Sequence, residues 1–286
     1  MKARTIERIL TAAPASDGGG VKLYRIVAPD GMRGLDPFLM LDDFGSDQAD
    51  DYIAGFPPHP HRGFETVTYM LEGRMLHEDH LGHRGLLESG GVQWMTAGRG
   101  VIHSEMPQQE AGRMRGMQLW VNLPAAEKMK DPAYRHLPAE EIPVATLPNG
   151  VSVKVVAGSF SDGQRRLQGA AQGISTSPLY LDVRIPLGAS LEVQVEPGHR
   201  TLVYVHHGQL AVAGEPVAAR QMAILTDGDS VRLETDVGAE REPAGALVLA
   251  ARPLGEPIAH YGPFVMTTRE EIRQAIADYE SGRLAA

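Results

Sequence analysis

Cysteine is absent from the chain, which excludes disulfides, thiolate metal sites and cysteine nucleophiles together. Any bound metal ion must therefore sit on imidazole and carboxylate ligands. No stretch approaches the roughly 18 apolar residues needed to cross a bilayer. The opening Met1-Lys2-Ala3-Arg4-Thr5-Ile6 carries no apolar signal core, and Asp17 followed by Gly18-Gly19-Gly20 breaks the segment early. The expectation is a soluble, cytoplasmic protein with no membrane contact. Basic charge is in deficit: 27 Lys and Arg against 36 Asp and Glu leave a formal charge of -9. That balance argues against direct nucleic-acid binding, though not against contact with a protein that itself binds DNA. A dinucleotide fingerprint is missing too. The Gly98-Arg99-Gly100 turn has too few glycines and leads into a strand, not a helix.

What the chain has in quantity is punctuation. Its 286 residues hold 32 Gly and 20 Pro, so turn signals recur between short β-rich runs. Those runs are Val21–Val27, Glu65–Leu71, Val92–Met95, Met117–Leu123, Val151–Val156, Tyr180–Ile185, Leu191–Val195, Leu202–Val205, Met222–Leu225, Val231–Glu234 and Ala246–Ala250. Many short strands at this spacing predict an all-β sandwich or barrel, and the length allows one large unit or two. Helical periodicity is expected over Ala125–His136 and again near the C-terminus. There Thr268-Arg269-Glu270-Glu271 reads as a capping box, Ile272, Ile276 and Tyr279 share a face, and Gly282 ends the segment. A weak internal duplication aligns Glu65–Gly73 with Arg200–Gly208, and Thr96–Val101 with Thr226–Val231. Two copies of one β-unit, joined by Pro124–Gly150, account for both matches.

The chemistry gathers in the first copy. His59-Pro60-His61 sets two imidazoles two residues apart, and His103-Ser104-Glu105 repeats the spacing with a carboxylate. Residues i and i+2 of a strand project from one face, about 7 Å apart, so two such pairs on neighbouring strands converge on one point. Three neutral nitrogens and one anionic oxygen suit Fe, Mn, Ni, Co or Cu with open positions, and also zinc. The competing reading makes these residues ordinary polar positions on exposed strand edges. Pro60, Gly98 and Gly100 argue instead that the backbone is being aimed.

The run from His59 to Gly73, His-Pro-His-Arg-Gly-Phe-Glu-Thr-Val-Thr-Tyr-Met-Leu-Glu-Gly, resembles the signature of the pirin family, a branch of the cupin superfamily. So do the strings Gln93–Pro107, Leu35–Phe44 and Gly116–Pro124, and the tail Pro253–Met266. The resemblance spans nearly the whole chain. It implies two antiparallel β-barrels (a bicupin) with a short C-terminal helix. Residues 1–124 would form the metal-binding barrel, 125–150 the connector, and 151–286 a metal-free barrel with the helix, the ends free to cross over. It also implies one divalent metal ion, Fe2+ foremost, held by His59, His61, His103 and Glu105. Counting back from Gly208 as from Gly73 gives Gln194, Glu196, Leu233 and Thr235 as the counterparts in the second copy, which form no ligand set.

Other constellations read as weaker. His77, His80 and His83 alternate faces in a strand, and Asp79 and Gly82 suggest a hairpin, so structural or surface roles are expected. The acidic stretch Asp42-Asp43, Asp47, Asp50-Asp51 lacks the order of a calcium loop and reads as a solvated loop. Phe38, Met40, Phe44, Phe64, Met70 and Met106 are candidates to line a substrate cavity, or equally core. The resemblance implies a quercetin 2,3-dioxygenase, which cleaves a flavonol with O2 and releases carbon monoxide, with Glu105 as ligand and catalytic base. The alternative is a non-enzymatic, iron-binding, redox-sensitive regulator acting through a protein partner. A sugar-phosphate isomerase would want a basic cluster, and only Arg62 and Arg99 lie close in sequence.

Overall fold

Runs rich in Val, Ile, Leu and aromatics, cut by Gly and Pro turns, become strands because branched side chains pack well on a pleated surface. A computed structural model describes residues 2–28, 31–235 and 242–285. Its strands fall into two units, one of Ala13–Ala139 with Leu254–Ala286, the other of Met1–Ala12 with Glu140–Pro253. The C-terminal helix thus belongs to the unit that carries the His59 and His103 motifs, whereas the first strand, Ile6–Thr11, belongs to the other. Among the described residues no helix is long and apolar enough to cross a membrane.

The two units repeat one topology. In the first, a seven-stranded antiparallel sheet runs Ala133–Leu137, Val92–Thr96, Phe64–Glu72, Met114–Asn122, Phe38–Ser46, Val21–Ile26, Ala13–Asp17. A four-stranded sheet runs Phe56–His61, Val101–Pro107, Arg74–Asp79, Arg84–Glu88. In the second unit the seven-stranded order is Ile6–Thr11, Gln221–Leu225, Arg200–His207, Ala244–Ala251, Leu179–Ile185, Ser152–Ala157, Val144–Thr146. Its four-stranded sheet is Ser190–Gln194, Ser230–Glu234, Gln209–Val212, Glu215–Ala218. Phe64–Glu72 and Arg200–His207, the segments aligned by sequence, hold the same place in their sheets. The hydrogen-bonded ladders give two large open sheets per unit among the described residues, not one closed ring of strands. Each unit adds a two-stranded ladder, Ala259–Tyr261 with Phe264–Met266 in the first and Ser159–Ser161 with Arg166–Gln168 in the second.

The helix expected over Ala125–His136 does not form. Ala125–Glu127 makes one 3-10 turn, and Ala133–Leu137 is a strand paired with Val92–Thr96. Pro132 is the reason: it lacks an N–H and drives Asp131 out of the helical region. The C-terminal helix, Arg269–Glu280, does form, with both halves of the Thr268/Glu271 capping box in place, worth about 0.5–2 kcal/mol. Ile272 and Ala275 are buried against Phe264, Met266 and Leu284, while Tyr279 stays largely exposed and touches the Phe264 ring edge-on. Gly282 ends the segment at φ 73°.

The acidic stretch is also corrected. Asp42 and Asp43 are not in a solvated loop but lie buried on the strand Phe38–Ser46. Arg25 donates to Asp42 through Nε and Nη2 at 2.8 and 2.6 Å, and Arg115 to Asp43 at 3.3 and 3.0 Å. Cross-strand guanidinium partners let these carboxylates occupy a strand, because a buried charge needs pairing and hydrogen bonds.

Candidate metal centre

The site begins with an edge strand. Pro57, Pro58 and Pro60 cannot donate to a ladder, so Phe56–His61 pairs on one side only, with Val101–Pro107. Register sets His103 opposite His59 and Val101 opposite His61. After His61 the chain turns through Gly63 at φ 91°, where any Cβ would strike the Val265 carbonyl. Before His103 it turns through Gly98 at φ 50°, against the Lys130 carbonyl. Only glycine allows both turns.

One ring nitrogen from each of His59, His61 and His103 lies within 4.8 Å of the other two. The ring centroids are 4.4 to 5.0 Å apart. His61 and His103 are each 2% exposed, and His59 is half-buried. Burial, reinforced by the neighbouring rings, pushes the His61 and His103 pKa values well below the ordinary range. Neutral imidazole is the ligating form. His59 Nδ1 donates to the Pro57 carbonyl at 2.8 Å, because a carbonyl can only accept, so Nε2 keeps its lone pair. Nε2 of His103 meets no partner of hydrogen-bond geometry among the described residues, and the Pro263 backbone beside His61 can engage only one of its two ring nitrogens. Buried polar atoms are ordinarily satisfied, so lone pairs converging without partners fit a metal ion.

Glu105 stands apart from this cluster. A bulge between His103 and Glu105 puts Glu105 opposite Phe56, and its oxygens are not among the atoms within 4.8 Å of one another. The carboxylate is buried and doubly held: Thr68 Oγ1 donates to Oε1 at 2.8 Å and Gln118 Nε2 to Oε2 at 2.7 Å. Trp120 Nε1 donates in turn to Gln118 Oε1 at 3.2 Å, which fixes the amide's orientation.

A cavity of about 700 Å3 opens onto His59 and His61. Met32, Met40, Phe44, Phe56 and Trp120 give it apolar walls, and Gln118, Arg25, Asp42 and Asp17 a polar side. Of the six residues considered for such a cavity, Met40 and Phe44 line it, whereas Phe38, Phe64, Met70 and Met106 do not. Phe64 instead packs against Trp120 at 4.3 Å and the edge of His61 at 5.1 Å. Arg62 and Arg99 form no phosphate site: Arg62 is buried, pairs with Asp278 at 2.8 Å and donates to the Arg99 carbonyl, and Arg99 pairs with Asp131.

The Pirin family profile matches residues 20–121, and that of the Pirin C-terminal cupin domain residues 180–285. A Pseudomonas aeruginosa protein named provisionally as a quercetin 2,3-dioxygenase is 52% identical over 99% of this chain and 98% of its own. The chain belongs to the pirin family. Human Pirin is 39% identical over 94% of this chain and 89% of its own. The solved quercetin 2,3-dioxygenase of Acinetobacter baumannii shares the fold at TM-score 0.89 and 34% identity, covering 99% of this chain and 98% of that one. A bacterial pirin from Escherichia coli, solved with nickel(II), shares the fold at TM-score 0.66 and 19% identity, covering 86% of this chain and 99% of that one.

Sequence reasoning missed Thr68, Gln118, Trp120 and His77. Thr68 faces Gln118 across the ladder, and Gln118 and Trp120 share a strand face by the i, i+2 rule. The signal for the last two was in the Gly116–Pro124 string, but nothing local marks Gln118 as a carboxylate's donor. His77, expected as structural or surface, is buried opposite Glu105, its ring 5.2 Å from that of His103. The hairpin expected around Asp79 and Gly82 does form.

In the second unit the register corrects the counterpart positions. Val101 pairs with His61, and its aligned equivalent Val231 pairs with Val193. The positions of His59, His61 and His103 are therefore Leu191, Val193 and Leu233, not Gln194, Glu196 and Leu233. Counting from the glycine slipped because the intervening loop differs in length. All three are buried in one aliphatic core and cannot ligate a metal.

Proposed function

We propose that this chain is a metal-dependent dioxygenase acting on flavonol-like substrates, with His59, His61, His103 and Glu105 holding one divalent ion. The observation that carries this reading is that His59 and His61 belong both to the three-histidine cluster and to the wall of the apolar cavity. A protein–partner switch needs no such cavity; a substrate does. Fe2+ is the ion proposed from the family resemblance, and the same donors accept Ni, Mn, Co, Cu or Zn. Glu105 is supported as fourth ligand by its burial, its place beyond His103 on one strand, and carboxylate lone pairs beyond the two hydrogen bonds it accepts. Each pair of sheets is read as one cupin barrel, the second without metal.

An ion held by His59, His61, His103 and Glu105 would supply Lewis-acid chemistry that lowers the pKa of a substrate hydroxyl. Glu105 takes the hydroxyl proton at a carboxylate oxygen, while Thr68 and Gln118 hold that carboxylate in place. Met40, Phe44 and Trp120 cover flat aromatic rings and exclude water. The flavonol and O2 become a ring-opened ester and carbon monoxide, with the substrate supplying the electrons, so no nicotinamide or flavin is required.

The test is aerobic turnover of quercetin by protein loaded separately with Fe2+, Ni2+, Mn2+, Co2+ and Cu2+, with His61→Ala as control. Metal-dependent loss of flavonol absorbance with carbon monoxide release, absent in the variant, is the expected result. Stoichiometric metal binding without turnover by any ion would overturn the dioxygenase reading in favour of the regulator.

A further inference from the structure

Next to His103, on residues of the paired hairpin that do not line the cavity, runs a chain of polar groups that the reaction does not use. His103 Nδ1 lies 3.3 Å from His77 Nδ1, His77 Nε2 lies 3.5 Å from Asp79 Oδ2, and that same oxygen lies 2.8 Å from His83 Nδ1. Asp79 Oδ1 also accepts the backbone N–H groups of Leu81 and His83, each at 3.0 Å. His77 is buried and stacked on Tyr134, with centroids 4.4 Å apart and planes 17° from parallel. Gly85, opposite His77 in the hairpin, leaves the space that the Tyr134 hydroxyl fills.

The direction of these bonds can be worked inward from Asp79. Its oxygens accept from two amides and the His83 ring, so they present only lone pairs to His77. Burial alone would raise the Asp79 pKa, but the His83 contacts hold it below the ordinary carboxylate range. A carboxylate cannot donate, so His77 Nε2 carries its proton. Neutral His77 then offers an unprotonated Nδ1, and His103 Nδ1 must be the donor to it. The remaining nitrogen of His103, Nε2, is left with a lone pair, and it is the atom that finds no partner.

We propose that His77, anchored by Asp79 and stacked on Tyr134, is a positioning residue that accepts the Nδ1–H of His103 and thereby turns His103 Nε2 to the metal. The role resembles other outer partners that fix a ligating histidine's tautomer and ring orientation. It rests on the reading of His103 as a ligand, and goes beyond it by assigning a residue that touches neither metal nor substrate.

Long-range 1H–15N spectra of the metal-free protein read the tautomers directly. They should show His103 protonated at Nδ1 and His77 at Nε2; His103 protonated at Nε2 would overturn the proposal. His77→Phe keeps the stack on Tyr134 and removes the acceptor. Its Co2+ affinity by calorimetry should fall about 10–100-fold, with an altered Co2+ absorption spectrum. His77→Gln, which can still accept, should recover much of the loss and guards against a fold defect in the Phe variant. Unchanged Co2+ affinity and spectrum in His77→Phe would overturn the positioning role. A His103→Ala control separates the two claims: if it binds Co2+ as wild type does, the ligand reading fails and the positioning role falls with it. The tautomer of His103 in the metal-free protein is decided by its spectrum in either case.

Discussion

Lys128 tests whether the turn that aims His61 is held by a single buried cation. Its side chain is 2% exposed, and Nζ donates to the Gly63 carbonyl at 2.8 Å, Asn122 Oδ1 at 2.5 Å and the Val265 carbonyl at 3.0 Å. One ammonium thus ties the turn after His61, the end of the Gln118/Trp120 strand, and the hairpin before the helix. Lys128→Met keeps the stem and removes the donors. Each stranded acceptor costs about 1–3 kcal/mol, partly offset because a cation no longer leaves water, so the net loss should be about 2–4 kcal/mol at pH 7. The pH dependence sharpens the test. Burial lowers the Lys128 pKa from 10.5 to about 8, with Glu256, Glu271 and Asp36 opposing. Between those two values the unfolded chain binds more protons than the folded one, so wild-type stability rises with pH there. The gain is about 3 kcal/mol, and the variant lacks it. Urea denaturation of both proteins from pH 7 to 10.5 should therefore show a stability gap that widens with pH. A gap that is flat across that window, or smaller than about 1 kcal/mol at pH 7, would refute the reasoning.

Three further outcomes follow from the same geometry. His61→Ala removes one of the three convergent imidazoles proposed as ligands and should weaken Co2+ or Ni2+ binding by at least about 100-fold in calorimetry, more than an outer-partner substitution does. Gln118→Leu leaves Glu105 Oε2 and Trp120 Nε1 without their partners; the expected cost is about 1–3 kcal/mol in denaturation, with a larger fall in flavonol kcat than in KM. Arg62→Met breaks the pair with Asp278 that clasps the C-terminal helix. A loss of about 2–3 kcal/mol is expected, together with faster amide exchange in Arg269–Glu280 than elsewhere in the unit.

Much of the fold was legible because alternation and turn residues are local. Every β-rich run named from sequence lies on a strand to within one residue at its ends. Three strands outside those runs break the pattern for a reason that lies beyond the segment. Phe56–His61 carries three prolines and is a strand only because it is an edge. Phe38–Ser46 carries two aspartates and is a strand because Arg25 and Arg115 neutralise them from neighbouring strands. Ala133–Leu137 falls at the end of the span Ala125–His136, which reads as helical because its Lys, Glu and Met residues favour helix, and Pro132 decides otherwise. The site divides in the same way. The three histidines could be found from i, i+2 spacing, a within-strand property. His77, Thr68 and Gln118 could not, since what makes each matter is a partner 26, 37 or 13 residues away.

The repeated topology shows what a metal centre demands beyond a strand pair. Both units place two short strands in identical ladder positions, yet one holds His59, His61 and His103 and the other Leu191, Val193 and Leu233. Backbone geometry therefore does not distinguish them. In the first unit Gln118, Thr68, His77 and Asp79 give the buried Glu105 and His103 fixed hydrogen bonds, and a cavity opens onto His59 and His61. In the second, Val203, Val205 and Val248 belong to the aliphatic core that contains the counterpart positions. An imidazole set there would lose its hydration with nothing to replace it, a cost of several kcal/mol per group. The difference between site and core thus lies in the supporting residues on neighbouring strands, and these must be present before ligands can be buried without loss of the fold.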